Sequence, residues 1–395
     1  MREGFSIGLG FCLIPFVLLI LFHLLDLAYK GEYTSVVNKN FRLCLLAILS
    51  VDVSVLLGLY YQSPILNPWN SALLIGMFSL PYLASVVVQV YNREDLEFDM
   101  SRLFLKGLGL FLAVNLLGYG AGLRNLLHSF AGRVSLPFTM GIYDGAHILA
   151  FMNLLMLGYM KDFRGRPMRF MFMLGIFVMN LGLMLSINSR LSFMVFMAIA
   201  VLFVTRAARA ARGLYAISLF TMPLLTSFAL LIYAILSQPI FTTILDRVSK
   251  KDVTTFNGRT YIWEAALDWV MDDRRGLIFG NGYNGQYHLR MLEGVAKLWN
   301  ESGSYRLHMH SAFLEVFVNQ GLVGLFLMYA ILWRGYQYYR KEYLDNTTLA
   351  PMFAGFAYLM FAWQIDIFGY GFYAGFLLLM MMMAPASVKP YKFEA

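Results

Sequence analysis

His308-Met-His310-Ser-Ala-Phe-Leu-Glu315-Val-Phe-Val-Asn-Gln-Gly321-Leu-Val-Gly324 runs from a polar stretch into an apolar one that lasts to about residue 333. An apolar run of roughly 20 residues reads as a membrane span, because lipid offers backbone groups no partners outside the helix itself. The residues before it, 237–309, form the one long polar stretch of the chain.

Outward from there nearly everything is hydrocarbon-seeking. Of 395 residues, 59% are hydrophobic and 14% charged, against about 25% charged in soluble domains. That excludes a water-soluble core. The net charge of +8 does not point to nucleic acid, since basic residues in such a chain mostly encode topology. Cys12 and Cys44 lie inside apolar runs, so no disulfide framework is implied. The first run, 5–28, is long enough to span and lacks a cleavage site, so no cleavable signal is expected.

The expected fold class is an all-α polytopic membrane protein of about 11 transmembrane helices with one large helical extracytoplasmic loop. The spans are 5–28, 41–61, 70–91, 103–122, 145–160, 169–187, 191–205, 214–236, 310–333, 349–365 and 369–386. They divide the chain into helices 1–8 over 1–236, a loop domain over 237–309 and helices 9–11 over 310–395. One set of short connections carries 18 Lys and Arg, the opposite set only Arg2, Arg124, Arg133 and Arg190. This positive-inside asymmetry places the N-terminus outside, the C-terminus in the cytoplasm and the long loop outside. No internal repeat suggests a transporter built from related halves.

Polar residues within spans have bland readings. Asp52 is expected to be a protonated or paired structural acid, with a relay role as the alternative. Asn115, Asn153 and Asn180 read as helix–helix glue. Met380–Met383 read as lipid-facing or core filler. Arg206, Arg209 and Arg212, at helical spacing, read as an anchor to anionic headgroups.

The outer face differs, because its arginines defy the topological preference. Arg190 follows the sixth span in Ser186-Ile-Asn-Ser-Arg190-Leu-Ser192. Arg133 precedes Asp144 and His147 at the mouth of the fifth span, and Arg259 opens the long loop. Any one of them can snorkel to a headgroup. Three beside a histidine fit a phosphate-bearing substrate better, since guanidinium forks match phosphate oxygens and stay charged.

Within the loop, Ile262, Ala265, Ala266, Trp269 and Val270 recur at helical spacing, predicting an amphipathic helix over 260–273 that ends at Gly276. A second helix is expected within 287–298. Gly280-Asn-Gly282 reads as a turn rather than a dinucleotide fingerprint, for want of a strand–helix context. On a continuous helix, eleven residues bring Gly321 within about 20° of His310 and about 16 Å deeper. That predicts a groove with an imidazole at its mouth, while Gly324 reads as packing and His308 as secondary, pointing elsewhere.

Taken in order, Ser189-Arg190, Gly258-Arg259-Thr-Tyr-Ile-Trp263, Gly280 and Gly282, and His310 to Gly321 resemble the O-antigen polymerase and O-antigen ligase superfamily over 186–324. At the spacing where ligases of the family often carry leucine, this chain has Met194 and Trp263. The resemblance implies a GT-C-like fold in the bacterial inner membrane with its active site on the periplasmic face. It implies an inverting, metal-independent glycosyltransferase without cofactor, taking its donor from an undecaprenyl-diphosphate-linked oligosaccharide. The acceptor is another lipid-linked glycan for a polymerase, the preferred reading, or lipid A–core for a ligase. Partners in such pathways include membrane lipid, a chain-length regulator and a flippase.

On this reading Arg190 and Arg259 clamp the leaving diphosphate. His310 orients or deprotonates the acceptor hydroxyl or contacts the diphosphate. Arg133, His147, Trp263, Glu315 and Gly321 are candidate diphosphate or glycan contacts, and no metal ligand is expected. The first external loop, 62–70, contains no acid with which to hold one. A transporter would show broken helices and midplane charges. A scaffold would not need interfacial arginines facing a histidine.

Overall fold

The computed structural model describes residues 3–30, 36–63, 66–95, 97–123, 133–139, 141, 143–163, 165–221, 259–272, 274–298, 307–370 and 374–390. Apart from an isolated bridge between Val37 and Val388, every regular element among them is helical. In chain order these are α1 (Glu3–Lys30), α2 (Lys39–Tyr60), α3 (Pro68–Tyr91), α4 (Met100–Gly120), α5 (Asp144–Tyr159), α6 (Pro167–Ile187), α7 (Arg190–Val204), α8 (Ala207–Ala210) and α9 (Leu214–Leu219). There follow α10 (Arg259–Asp272), α11 (Arg274–Phe279), α12 (Gly285–His288), α13 (Glu293–Leu298), α14 (Ala312–Leu344), α15 (Met352–Ile365) and α16 (Ala374–Ser387). Short 3₁₀ turns follow α5 and α15.

Helices α1, α2, α3, α4, α6 and α14 are long and apolar enough to cross a membrane. α7, α15 and α16 are shorter apolar helices. The chain is a multi-pass membrane protein. Of the expected spans, the eighth (214–236) is described only as far as residue 221.

Local chemistry sets the helix starts. The side chains of Asn38, Asn67 and Asp99 accept backbone N–H groups that would otherwise be orphaned, and Pro68 occupies a first-turn position that needs no donor. α1 exposes Phe11, Leu18, Phe22 and Leu25 and packs on α3, as expected for an outer helix bathed in lipid. α5 is apolar all round and buried along nearly its whole length between α4, α6, α7 and α15.

The interior polar residues behave as helix glue. Asn180 donates to Asn153 Oδ1 at 3.0 Å, joining α6 to α5. Asn115 accepts the Phe138 amide at 2.9 Å and so ties the segment before α5 to α4. Asp52 accepts the Ser79 hydroxyl at 3.1 Å, which agrees with a paired structural acid. Met380, Met382 and Met383 are core rather than lipid-facing. One expectation needs correction. Arg206 has φ 61° between α7 and α8, so Arg206, Arg209 and Arg212 do not share one helix.

The element that shapes the site is α14. It is interrupted at Gly321, whose φ of 65° and ψ of −161° belong to no helix. Two carbonyls just before the break accept amides of the preceding loop. Asn281 N donates to Val318 O and Gly282 N to Asn319 O, each at 3.0 Å. Irregular backbone at membrane depth survives where protein supplies its partners, and here the Gly280–Gly282 turn does so.

Candidate functional site

His310 stands immediately before α14, in the left-handed region at φ 49°. Ser311 caps the helix, accepting Leu314 N at 3.4 Å while donating to Gln364 O at 2.5 Å. Ala312 N donates to Asp366 O at 2.9 Å. On the other side, buried Met309 is held through both its backbone groups. Its amide donates to Glu315 Oε1 at 2.8 Å, and its carbonyl accepts the Trp263 indole N–H at 3.1 Å. The half-buried His310 ring therefore sits on a strap fixed from α10, α14 and the end of α15.

His308 does not point elsewhere, as its sequence offset suggested. Its Nδ1 accepts the His310 amide at 3.2 Å and the two rings lie 4.0 Å apart, because the left-handed turn at His310 folds the strap back on itself.

Behind the strap lies a buried polar network. Glu315 is 2% exposed. Its carboxylate accepts from Gln286 Nε2 at 3.2 and 3.3 Å and from Asn319 Nδ2 at 3.3 Å, besides Met309 N. Asn319 Oδ1 in turn accepts Gly285 N at 3.0 Å. These contacts tie the carboxylate to the strap at Met309 and to Gln286 and Asn319.

The amphipathic helix expected over 260–273 is α10. It buries Ile262, Trp263, Ala266 and Trp269 against Leu292, Val295, Leu307, Met309, Leu314 and Val318. That apolar cluster draws on both sides of the expected boundary at 309/310. Arg259 is the first residue of α10, one turn before Trp263. Arg190 is the first residue of α7, after the left-handed Asn188 that ends α6. The side chains of Arg190 and Arg259 lie outside the described residues.

Arg133 donates to the Tyr143 hydroxyl at 2.7 Å and lies over that ring. Val134 N donates to Ser186 O at 3.1 Å, which draws this segment onto the α6–α7 turn that carries Arg190. His147 is buried. Its Nδ1 lies 2.6 Å from the Tyr358 hydroxyl, its Nε2 3.3 Å from Asp366 Oδ2, and its ring stacks on Phe368.

The groove expected from His310 to Gly321 is closed. A side chain at Gly321 would collide with the backbone of Ile278 and Gly280, and the helix break invalidates the rotation arithmetic. The loop here is wedged into the bundle. Tyr283 N donates to Ser54 O at 2.7 Å, and the Tyr283 ring joins the main core beside Phe78 and Tyr370. Just beyond, burial lowers the pKa of His288, which stacks on Tyr61 at 4.9 Å.

Gln286, Asn319 and Asp366 were not anticipated from sequence. The available signals were the polar pair Asn319-Gln320 inside an apolar helix and an acid closing an apolar run.

Residues 174–329 match the family model described as O-Antigen ligase, from within α6 to within α14. The search of curated proteins found no match.

Proposed function

We propose, for a chain that through residues 174–329 belongs to the O-antigen polymerase and ligase superfamily, that it joins lipid-linked oligosaccharide repeat units at the outer face of the inner membrane. The acceptor hydroxyl oxygen attacks the anomeric carbon, the bond from that carbon to the diphosphate oxygen breaks, and the hydroxyl proton passes to His310. Arg190 and Arg259 balance the charge of the departing diphosphate without a metal. Arg133 lies on the segment held to the end of α6, beside Arg190, and buried His147 ties the start of α5 to Asp366. Trp263 and Glu315 hold the strap.

The observation that carries this reading is the clamping of Met309 between the Trp263 indole and the Glu315 carboxylate. It fixes the His310 backbone beside the start of the helix that Arg259 opens. A base must be held within hydrogen-bond reach of its proton, and a strap fastened on both sides does that. The charge asymmetry of the short connections supports an outside N-terminus and an outside site.

A ligase is the second reading, favoured by the description of the matching family. Purified protein incubated with lipid-linked repeat units alone separates the two. A ladder of longer chains is expected. No product until lipid A–core is supplied would assign the ligase instead.

A further inference from the structure

At the other end of the bundle a second site is built from residues the transfer reaction does not use. His147 and Tyr159 lie twelve positions apart on α5, about 18 Å along the axis, so this end is remote from the His310 strap. A cavity of about 460 Å³ opens there, walled by Arg102, Arg166, Arg169, Tyr159, Phe163 and Gly165. A second cavity of about 720 Å³ shares Arg102 and Tyr159 with it. Leu154, Leu157, Phe170 and Phe203 give it an apolar wall, beside polar Asn346, Thr347 and Thr348.

Among the described side chains the acid that meets these arginines is Asp99, and it is already committed. Its Oδ1 accepts Ser101 N, Ser101 Oγ and Arg102 N, and its Oδ2 accepts the Tyr159 hydroxyl at 2.9 Å and Arg102 Nε at 3.0 Å. The Arg102 bridge uses Nε and leaves its terminal nitrogens as donors. Among the described residues Arg166 and Arg169 have no acidic partner. The 21-residue helix α6 also starts here, with Arg166 at its N-cap and no side-chain cap for its first amides. Orphan amides, the helix dipole and guanidinium forks all favour a phosphate group.

We propose that this double cavity binds one anionic phospholipid of the leaflet that the charge count makes cytoplasmic. The phosphate rests on Arg102, Arg166 and Arg169 at the start of α6. An acyl chain follows the apolar wall between α5 and α7. Free phosphate would satisfy the guanidinium groups but would leave that wall empty. Basic recesses between helices at this membrane face suit anionic headgroups.

The test is a thermal melt of the purified, delipidated full chain in neutral detergent. Added phosphatidylglycerol is expected to raise Tm by about 2–4 °C, as a ligand of the folded state does. Phosphatidylcholine and inorganic phosphate are expected to leave it unchanged. The double substitution Arg166→Gln/Arg169→Gln should abolish the shift while keeping the lipid-free Tm, since both side chains are exposed. Lys39→Gln/Arg42→Gln, exposed basic residues of the same membrane face outside the cavity, should retain the shift. Native mass spectrometry should find phosphatidylglycerol on the wild type and not on the Arg166/Arg169 variant. An equal shift in both double variants, or a full shift with phosphate alone, overturns the proposal. So does undiminished lipid on the Arg166/Arg169 variant.

Discussion

His310 combines three properties that rarely meet in one residue. It has a left-handed backbone, a half-buried ring, and neighbours on either side that are each held by two hydrogen bonds. His310→Ala is expected to abolish transfer while leaving expression and donor binding intact. Near-normal product from that variant would end the assignment. His308→Ala removes one hydrogen bond from the strap, about 1 kcal/mol or roughly a fivefold loss in rate. Arg190→Ala or Arg259→Ala should each cost about 3 kcal/mol, a hundredfold or more in kcat/KM, if they hold the diphosphate. Lysine at either position should rescue only in part, because it is a point charge without the bidentate fork. Two guanidinium groups replacing a metal's charge also predict that transfer by the purified protein survives excess EDTA. An absolute requirement for added divalent ion would assign a different mechanism.

At the scale of elements, the joint between the Gly280–Gly282 turn and the break in α14 is the feature on which the site depends. Gly321 lies in a backbone region that is essentially glycine-only and costs other residues about 1–3 kcal/mol. The overlap of any Cβ with the Ile278–Gly280 backbone adds to that. Gly280, at φ 76°, faces the Asn319 backbone in the same way. Gly321→Ala and Gly280→Ala should therefore both reduce the yield of folded protein and lower Tm by several degrees. Gly294→Ala, on a helix with open space around it, should be neutral. Melting curves of the three variants in detergent decide the matter, and a wild-type melt for Gly321→Ala would show that the break does not constrain the fold.

For the whole molecule, the links Val134–Ser186, Ala312–Asp366 and His147–Asp366 bring the starts of α5 and α14 to the ends of α6 and α15, and α7 begins just past the end of α6. The starts of α5, α7 and α14 share that end of the bundle, and the arginine cavity lies at the far end of α5. If the charge asymmetry reports orientation, a cysteine at Gly294 should react with an impermeant thiol reagent in intact cells permeable at the outer envelope. A cysteine at Gly165 should not. Both glycines are exposed and have room for the side chain. Labelling at Gly165 alone would invert the topology.

The sequence by itself determined what depends on composition and short-range period. A chain this apolar must dissolve in lipid, the face of α10 repeats at helical spacing, and the polar-to-apolar step at His310 marks where α14 begins. Such signals are local, so they survive without knowledge of neighbours. Only the tertiary structure decided that Gly321 breaks its helix, because the amides that make the break tolerable come from Asn281 and Gly282, nearly forty positions earlier. The same holds for Glu315, which a linear reading aims at substrate and the folded chain surrounds with donors from Gln286, Met309 and Asn319. It holds again for His147 and Asp366, 219 positions apart. No period in the sequence links such pairs. Their meeting is set by which helices pack together, and in a chain that is apolar almost everywhere the hydrophobic pattern alone does not select those partners.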